Sequence, residues 1–164
     1  MGSRVLDVGC ADGALFSVLR DRISGGVGID PDAAPGTPRD GVRIGPGLFP
    51  ADAPDERFDV ITMLAVVEHL PLAAHAATGA AVARLLRPGG RLVITVPEPA
   101  VDRIVDRLAR LRLADGMSLH EHHGFSTEET ARIFEPHGLR LVTHRRFQLG
   151  LNNLFVFERR SPEG

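Results

Sequence analysis

Val5-Leu6-Asp7-Val8-Gly9-Cys10-Ala11-Asp12-Gly13 runs from a short apolar strand into a loop of small residues, and a helical pattern follows from Ala14. Small side chains at 9, 11 and 13 let the backbone approach a ligand closely. A helix opening directly after such a loop presents free N–H groups to a negative group. A dinucleotide fingerprint would place glycine at 9, 11 and 14. Here Gly9 is followed by Ala11 and Ala14, and the next glycine is Gly13. An acid, Asp7, also sits inside the strand. An anionic pyrophosphate is repelled by a neighbouring carboxylate, whereas a cationic amino group is attracted to one.

Working outward, apolar strands alternate with helical segments. Arg4 to Val8 reads as the first strand. Ala14 to Arg22 has helical spacing, with Leu15, Val18, Leu19 and the adjacent Ile23 as its apolar stripe. Gly26 to Asp30 is a second strand, Asp32 to Asp40 has no decisive pattern, and Val42 to Ile44 is a brief third strand before a Pro- and Asp-rich loop. Phe58 to Leu64 and Arg91 to Val96 are near-continuous apolar runs of the buried kind. Between them lies an Ala-rich helix, Pro71 to Leu86, stopped by Pro88-Gly89-Gly90. Val101, Ile104, Val105, Leu108 and Leu111 mark one face of an amphipathic helix that also carries Arg103, Arg107 and Arg110. Ser126-Thr127-Glu128-Glu129 is a capping box opening a helix that ends near Pro136-His137-Gly138. Leu139 to Phe147 and Asn153 to Arg159 read as an antiparallel pair at the sheet edge. The expected fold is therefore α/β, with a mostly parallel sheet of seven strands or fewer and helices on both faces.

The chain has 164 residues, enough for one domain spanning 1–164, and no repeat or linker divides it. Its net charge of −2 provides no broad basic field and argues against a nucleic-acid partner. The single cysteine, Cys10, cannot form an internal disulfide and fits a reducing, cytoplasmic location. No apolar run reaches the length of a membrane span.

Asp7-x-Gly9-x-Ala11-x-Gly13 resembles the first motif of the class I S-adenosylmethionine-dependent methyltransferases. Asp30, closing Gly26-Val27-Gly28-Ile29-Asp30, resembles the family's acid after the second strand. Phe58-Asp59-Val60-Ile61 with Val67-Glu68-His69-Leu70, and Leu85-Leu86-Arg87-Pro88-Gly89-Gly90-Arg91-Leu92, resemble its fourth-strand and fifth-strand segments. His123-Gly124-Phe125-Ser126 is similar to small-molecule members. The resemblance covers nearly the whole chain and implies a Rossmann-like fold. It also implies S-adenosylmethionine as cofactor, S-adenosylhomocysteine as product, and methyl transfer to an O, N or C nucleophile of a small molecule. The implied cofactor residues are Asp7, Gly9, Cys10, Ala11, Gly13, Asp30, Pro31, Leu48, Met63 and Ala65. Asp7 with the loop amides suits the amino-acid end, and Asp30 suits the two ribose hydroxyls.

Two departures stand out. The family's acid that contacts adenine falls near Gly47, where there is none, although Asp52 stands in the same loop. Only Met1-Gly2-Ser3 precede the first strand, where the family carries one or two cover helices. The expectation is a domain whose cover is missing, truncated, or supplied by a partner chain or a second copy. The alternative function is a cofactor-binding or degenerate module that acts with such a partner.

Methyl transfer from a sulfonium is an in-line displacement, so the protein mainly positions and desolvates the reactants. A base is needed only where the nucleophile must lose a proton. The candidates are His69, which the resemblance places beside the methyl site, Glu98 at the mouth of the fifth strand, and His123. Each has a plainer reading: His69 as a residue that caps or packs a short helix, Glu98 as a solvated loop acid, and His123 as a purely structural residue rather than a base or pocket wall. His120, His122 and His123 fall short of a tetrahedral zinc ligand set, so no metal is expected. Cys10 has no partnered base and reads as a small loop residue rather than a nucleophile.

Overall fold

The computed structural model describes residues 2–98 and 127–161. It contains one sheet whose centre is parallel. The parallel strands are β1 (Ser3–Val8), β2 (Ile23–Asp30), β4 (Val42–Pro46), β5 (Phe58–Leu64) and β6 (Leu86–Pro97). Three antiparallel strands complete it: β3 (Gly36–Arg39) on β4, and β7 (Leu139–Phe147) with β8 (Asn152–Arg159) beside β6. The order across the sheet is β3-β4-β2-β1-β5-β6-β8-β7. The chain builds outward from β1 in one direction and then returns to β5 on its other side. The switch point therefore lies between β1 and β5, where open α/β sheets bind ligands. The seven expected strands are all present, and β3 is an eighth, within the stretch that gave no pattern.

The helices lie on opposite faces. α1 (Ala14–Leu19) covers a small cluster of Val5, Phe16, Ile23 and Val42. α2 (His75–Leu85) and α3 (Thr127–Phe134) cover the main core on the other face, with Leu6, Val8, Ile61, Met63, Leu92, Ile94 and Phe157. Alternate residues of β1 thus supply both cores, as a strand buried on two faces must.

Two local readings are corrected. The stripe expected on α1 was Leu15, Val18, Leu19 and Ile23. Instead Phe16 is fully buried, Val18 is 76% exposed, and Ile23 already belongs to β2. Gly26 explains the choice, because a Cβ there would meet the Phe16 ring at 2.6 Å. The missing side chain is the socket for Phe16. The strand expected from Arg91 begins earlier, because Leu86 pairs with Phe58 before the register jumps to Val60–Arg91 across Pro88-Gly89-Gly90. The amphipathic stretch from Val101, the histidines 120, 122 and 123, and the capping residue Ser126 lie outside the described residues.

Candidate functional site

The carboxyl ends of β1, β2, β4, β5 and β6 share one edge of the sheet, which collects Gly9, Asp30, Gly47, Ala65 and Glu98. Asp7 lies just inside that edge and is only 4% exposed. Thr62, its cross-strand neighbour on β5, donates its hydroxyl to Asp7 Oδ1 at 2.6 Å. Burial pushes the Asp7 carboxyl up to about 6 against the pull of the Thr62 hydrogen bond, and the charge of Asp30 adds to the rise. Asp7 is thus a carboxyl group held in the interior at an energetic cost when charged.

The loop after β1 departs from expectation in one respect. The amides of Gly9, Cys10, Ala11 and Gly13 are already bonded within the protein. Gly9 N and Cys10 N donate to Ile29 O at 2.8 and 3.4 Å, and Gly13 N donates to Cys10 O at 2.8 Å. Ala11 N donates to Asp30 Oδ2 at 3.1 Å and Ala14 N to Asp12 Oδ1 at 3.0 Å. The acids at 12 and 30 hold the loop in shape by taking the donors themselves. What the loop offers at Gly9 and Gly13 is backbone without side chains.

Gly9 shows why. Its φ is +75°, and a Cβ there would lie 2.4 Å from Val66 Cγ2. Gly9→Ala must therefore strain the backbone and displace a β-branched neighbour. We expect a loss of about 1–3 kcal/mol of stability, readable as a lowered urea midpoint at unchanged slope. A variant as stable as the parent would show that the loop relaxes freely. Cys10 is buried, and its sulfur packs over Gly28. Burial, then the charges of Asp7 and Asp30, push its thiol up to about 11, so it stays protonated and is a poor nucleophile.

Asp30 accepts one amide on each oxygen, Asp32 N on Oδ1 at 2.9 Å and Ala11 N on Oδ2 at 3.1 Å. A carboxylate has about four acceptor positions, so each oxygen keeps one for a ligand hydroxyl. Pro31 follows on the exposed turn. Beyond β4, Leu48 is 62% exposed and its N–H donates to Asp52 Oδ2 at 2.8 Å. Asp52 therefore stands in the loop against Gly47, where the sequence shows no acid, and a Cβ on Gly47 would lie 3.1 Å from Asp52 Cβ. After β5, Ala65 adopts φ +55° and donates to Thr95 O at 3.0 Å and to Thr95 Oγ1 at 3.1 Å. Met63 is fully buried in the main core, and Leu64 is the residue that reaches the surface there.

Of the catalytic candidates, His69 ends a short 3-10 turn, Val67–His69, exposed at the same edge. Glu98 is not a free loop acid. Its Oε1 accepts from Asn153 Nδ2 at 2.9 Å and pairs with Arg146 Nε at 3.4 Å. His123 lies outside the described residues. Among the described residues, no group of three or more His, Cys, Asp or Glu could hold a metal ion. Sequence reasoning missed Thr62, Asp52 as a loop clasp, Thr95 and Asn153. Thr62 and Thr95 gave a signal, each a polar residue inside an otherwise apolar strand, and Asn153 stood at the start of one.

A family model described as a methyltransferase domain matches residues 1–144. The chain is 30% identical to a ubiquinone biosynthesis O-methyltransferase of Aeromonas salmonicida over 154 residues, 84% of this chain and 63% of that protein. It is 38% identical to the nocamycin O-methyltransferase of Saccharothrix syringae over 115 residues, 60% of this chain and 39% of that protein. The chain thus spans under two thirds of the length of these curated relatives. The N-methyltransferase NodS of Bradyrhizobium japonicum, solved with S-adenosyl-L-homocysteine, superposes with a TM-score of 0.70 at 19% identity over 99% of this chain and 80% of its own. The order of strands, the loop after β1 and the family match agree: this chain belongs to the class I, S-adenosylmethionine-dependent methyltransferase family.

Proposed function

We propose that the chain binds S-adenosylmethionine along the carboxyl edge of its sheet and passes the methyl group to a hydroxyl of a small molecule. The observation that carries this reading is the pair of unequal acids at neighbouring strand ends. Asp7 is buried and held by Thr62, suited to an ammonium, and Asp30 is half-buried with one acceptor position left on each oxygen, suited to two vicinal hydroxyls. Gly9 and Gly13 clear the path between them. Leu48 offers apolar surface to a purine, and Asp52, already clasping Leu48, keeps a second carboxylate oxygen for its amino group. The O-methyltransferase relatives support oxygen as the acceptor atom.

When bound, the cofactor supplies an activated methyl group on a positively charged sulfur. The protein's own part is placement. Asp7 and Asp30 fix the ammonium and the ribose of the cofactor, while His69 and Glu98 stand at the same edge, where an acceptor would approach. As the carbon–sulfur bond breaks and the acceptor oxygen bonds to the methyl carbon, a hydroxyl nucleophile gives up a proton, and we infer that His69 takes it. We expect His69→Ala to leave cofactor affinity unchanged and to slow turnover by roughly 100-fold or more, the range of a lost general base. An unaffected rate would return His69 to a packing role.

The test is calorimetric titration with S-adenosylmethionine and S-adenosylhomocysteine, followed by transfer of labelled methyl to a panel of phenols, catechols and amines. Saturable binding with transfer to oxygen supports the full reading. Binding without transfer supports the alternative, a cofactor-binding module that needs a partner chain or second copy. No described helix is long and apolar enough to cross a membrane. The single cysteine supports a cytoplasmic site for this chemistry.

A further inference from the structure

β8 presents alternate residues to the main core, and two of its inward positions are Phe155 and Phe157. The third is Asn153, fully buried. An amide in that row costs desolvation energy unless every polar atom finds a partner, and Asn153 finds three. Its Nδ2 donates to Glu98 Oε1 at 2.9 Å and approaches Val96 O at 3.5 Å, and its Oδ1 meets His144 Nε2 at 2.9 Å. The amide's orientation follows from chemistry. A carboxylate and a carbonyl can only accept, so the NH2 faces them and the oxygen faces the imidazole. His144 must then carry its proton on Nε2. Its ring is held by stacking on Phe155, with centroids 4.4 Å apart.

The same cluster fixes Glu98 from two further sides. Arg146 Nε lies 3.4 Å from the same Oε1, and the Glu98 amide donates to Leu151 O at 2.9 Å. Leu151 closes a turn in which Gln148, Leu149 and Gly150 all have positive φ, a costly backbone for two non-glycine residues. Both donors converge on Oε1, and no described residue bonds Oε2. Glu98 stands at the carboxyl end of β6, on the edge that carries Asp7 and Asp30.

We propose that Asn153 is a positioning residue for Glu98. By occupying Oε1 it turns Oε2 toward the methyl acceptor, so that the site selects acceptors carrying a hydrogen-bond donor, a second hydroxyl or an ammonium, next to the reacting atom. This rests on the placement of the methyl site given above. The Glu98 carboxylate orients the acceptor, and Asn153 acts only through it.

The test is a cycle of four proteins, each saturated with S-adenosylhomocysteine: parent, Asn153→Asp, Glu98→Gln and the double variant. Asn153→Asp sets two carboxylates face to face and should lower Tm by several degrees, on the order of 2–4 °C for each kcal/mol lost in a domain of this size. In the double variant the two side chains exchange roles. The new amide at position 98 donates to the new carboxylate at position 153, which still accepts from His144, so Tm should recover. Absence of that recovery overturns the pairing. Long-range proton–nitrogen correlation on the imidazoles should show His144 as the Nε2–H tautomer, and the other tautomer would overturn the amide assignment.

With a catechol as probe, Asn153→Leu, which keeps the branched shape but no polar atom, should lower kcat by up to about 100-fold at unchanged KM for the cofactor, the scale of a reactant misplaced by an ångström. The recovered double variant should remain slow, since it lacks the carboxylate at 98. Parent-like kcat in a folded Asn153→Leu overturns the positioning role. If the parent itself methylates no acceptor, the proposed reaction fails, and the Tm cycle and tautomer still decide the Asn153 pairing.

Discussion

Asp7→Asn is expected to make the apo protein more stable at neutral pH while weakening its hold on S-adenosylmethionine. The Asp7 carboxyl sits at about 6 in the folded chain, against an ordinary value of 3.8. A raised carboxyl favours folding while it is protonated. That contribution is complete below pH 3.8 and is lost as pH rises through 6, at a total cost of roughly 2–3 kcal/mol. Glu56 and Asp59 act in the opposite sense. Burial alone would raise them, but Arg4 and Arg43 around Glu56, and the Arg4 amide with Arg87 around Asp59, hold both below their ordinary values. Comparing the parent with Asp7→Asn removes their contribution and isolates Asp7. Urea titrations from pH 4 to pH 7 should show the variant gaining on the parent as pH rises. A constant difference would mean that Asp7 titrates normally.

Cofactor binding should run the other way. An ammonium beside Asp7 favours the carboxylate, so below pH 6 binding must expel a proton, and affinity should fall by up to about tenfold per pH unit. Calorimetry at pH 5.5 in buffers of different ionisation heat should detect that release. Binding with no proton release would place the ammonium elsewhere. A stabilised but disabled variant is the expected signature of a residue kept at a structural cost for its ligand.

Much of this was legible in the sequence because it depends on local pattern. The apolar runs at Phe58–Leu64 and Arg91–Val96 had to be buried strands, and Asp7, Gly9, Gly13 and Asp30 occur at spacings that only a strand, loop and helix can use. What escaped reading depends on contacts between distant residues. Thr62 meets Asp7 only because β5 pairs with β1 in one register, and a slip of one residue would turn Thr62 to the other face. Asn153 reaches Glu98 through the β6–β8 register, in which Val96 faces Asn153. The choice of Phe16 over Val18 as the anchor of α1 was set by Gly26 on another strand. The loop amides looked free because nothing local shows that the Ile29 carbonyl and the Asp30 carboxylate come back to meet them.

Asp30→Ala should weaken S-adenosylhomocysteine binding by about 1–3 kcal/mol, the cost of two charge-assisted hydrogen bonds. That corresponds to a Kd roughly 5- to 150-fold higher. Its effect on folding should be smaller. The amides of Ala11 and Asp32 that Asp30 accepts are solvent-exposed, and water can replace the lost partner. Asp30→Asn should fall between, since its remaining oxygen can accept from one hydroxyl but not two. Asp30 also helps to raise the Asp7 carboxyl. Removing its charge should therefore move the pH dependence of binding toward lower pH, while removing Asp7 should abolish that dependence. The two acids are thus separable in one set of titrations: Asp30 sets mainly the magnitude of the affinity, and Asp7 sets its response to pH. Equal affinity in the parent and Asp30→Ala would move the ribose away from the end of β2 and leave the unequal-acid reading with one acid only.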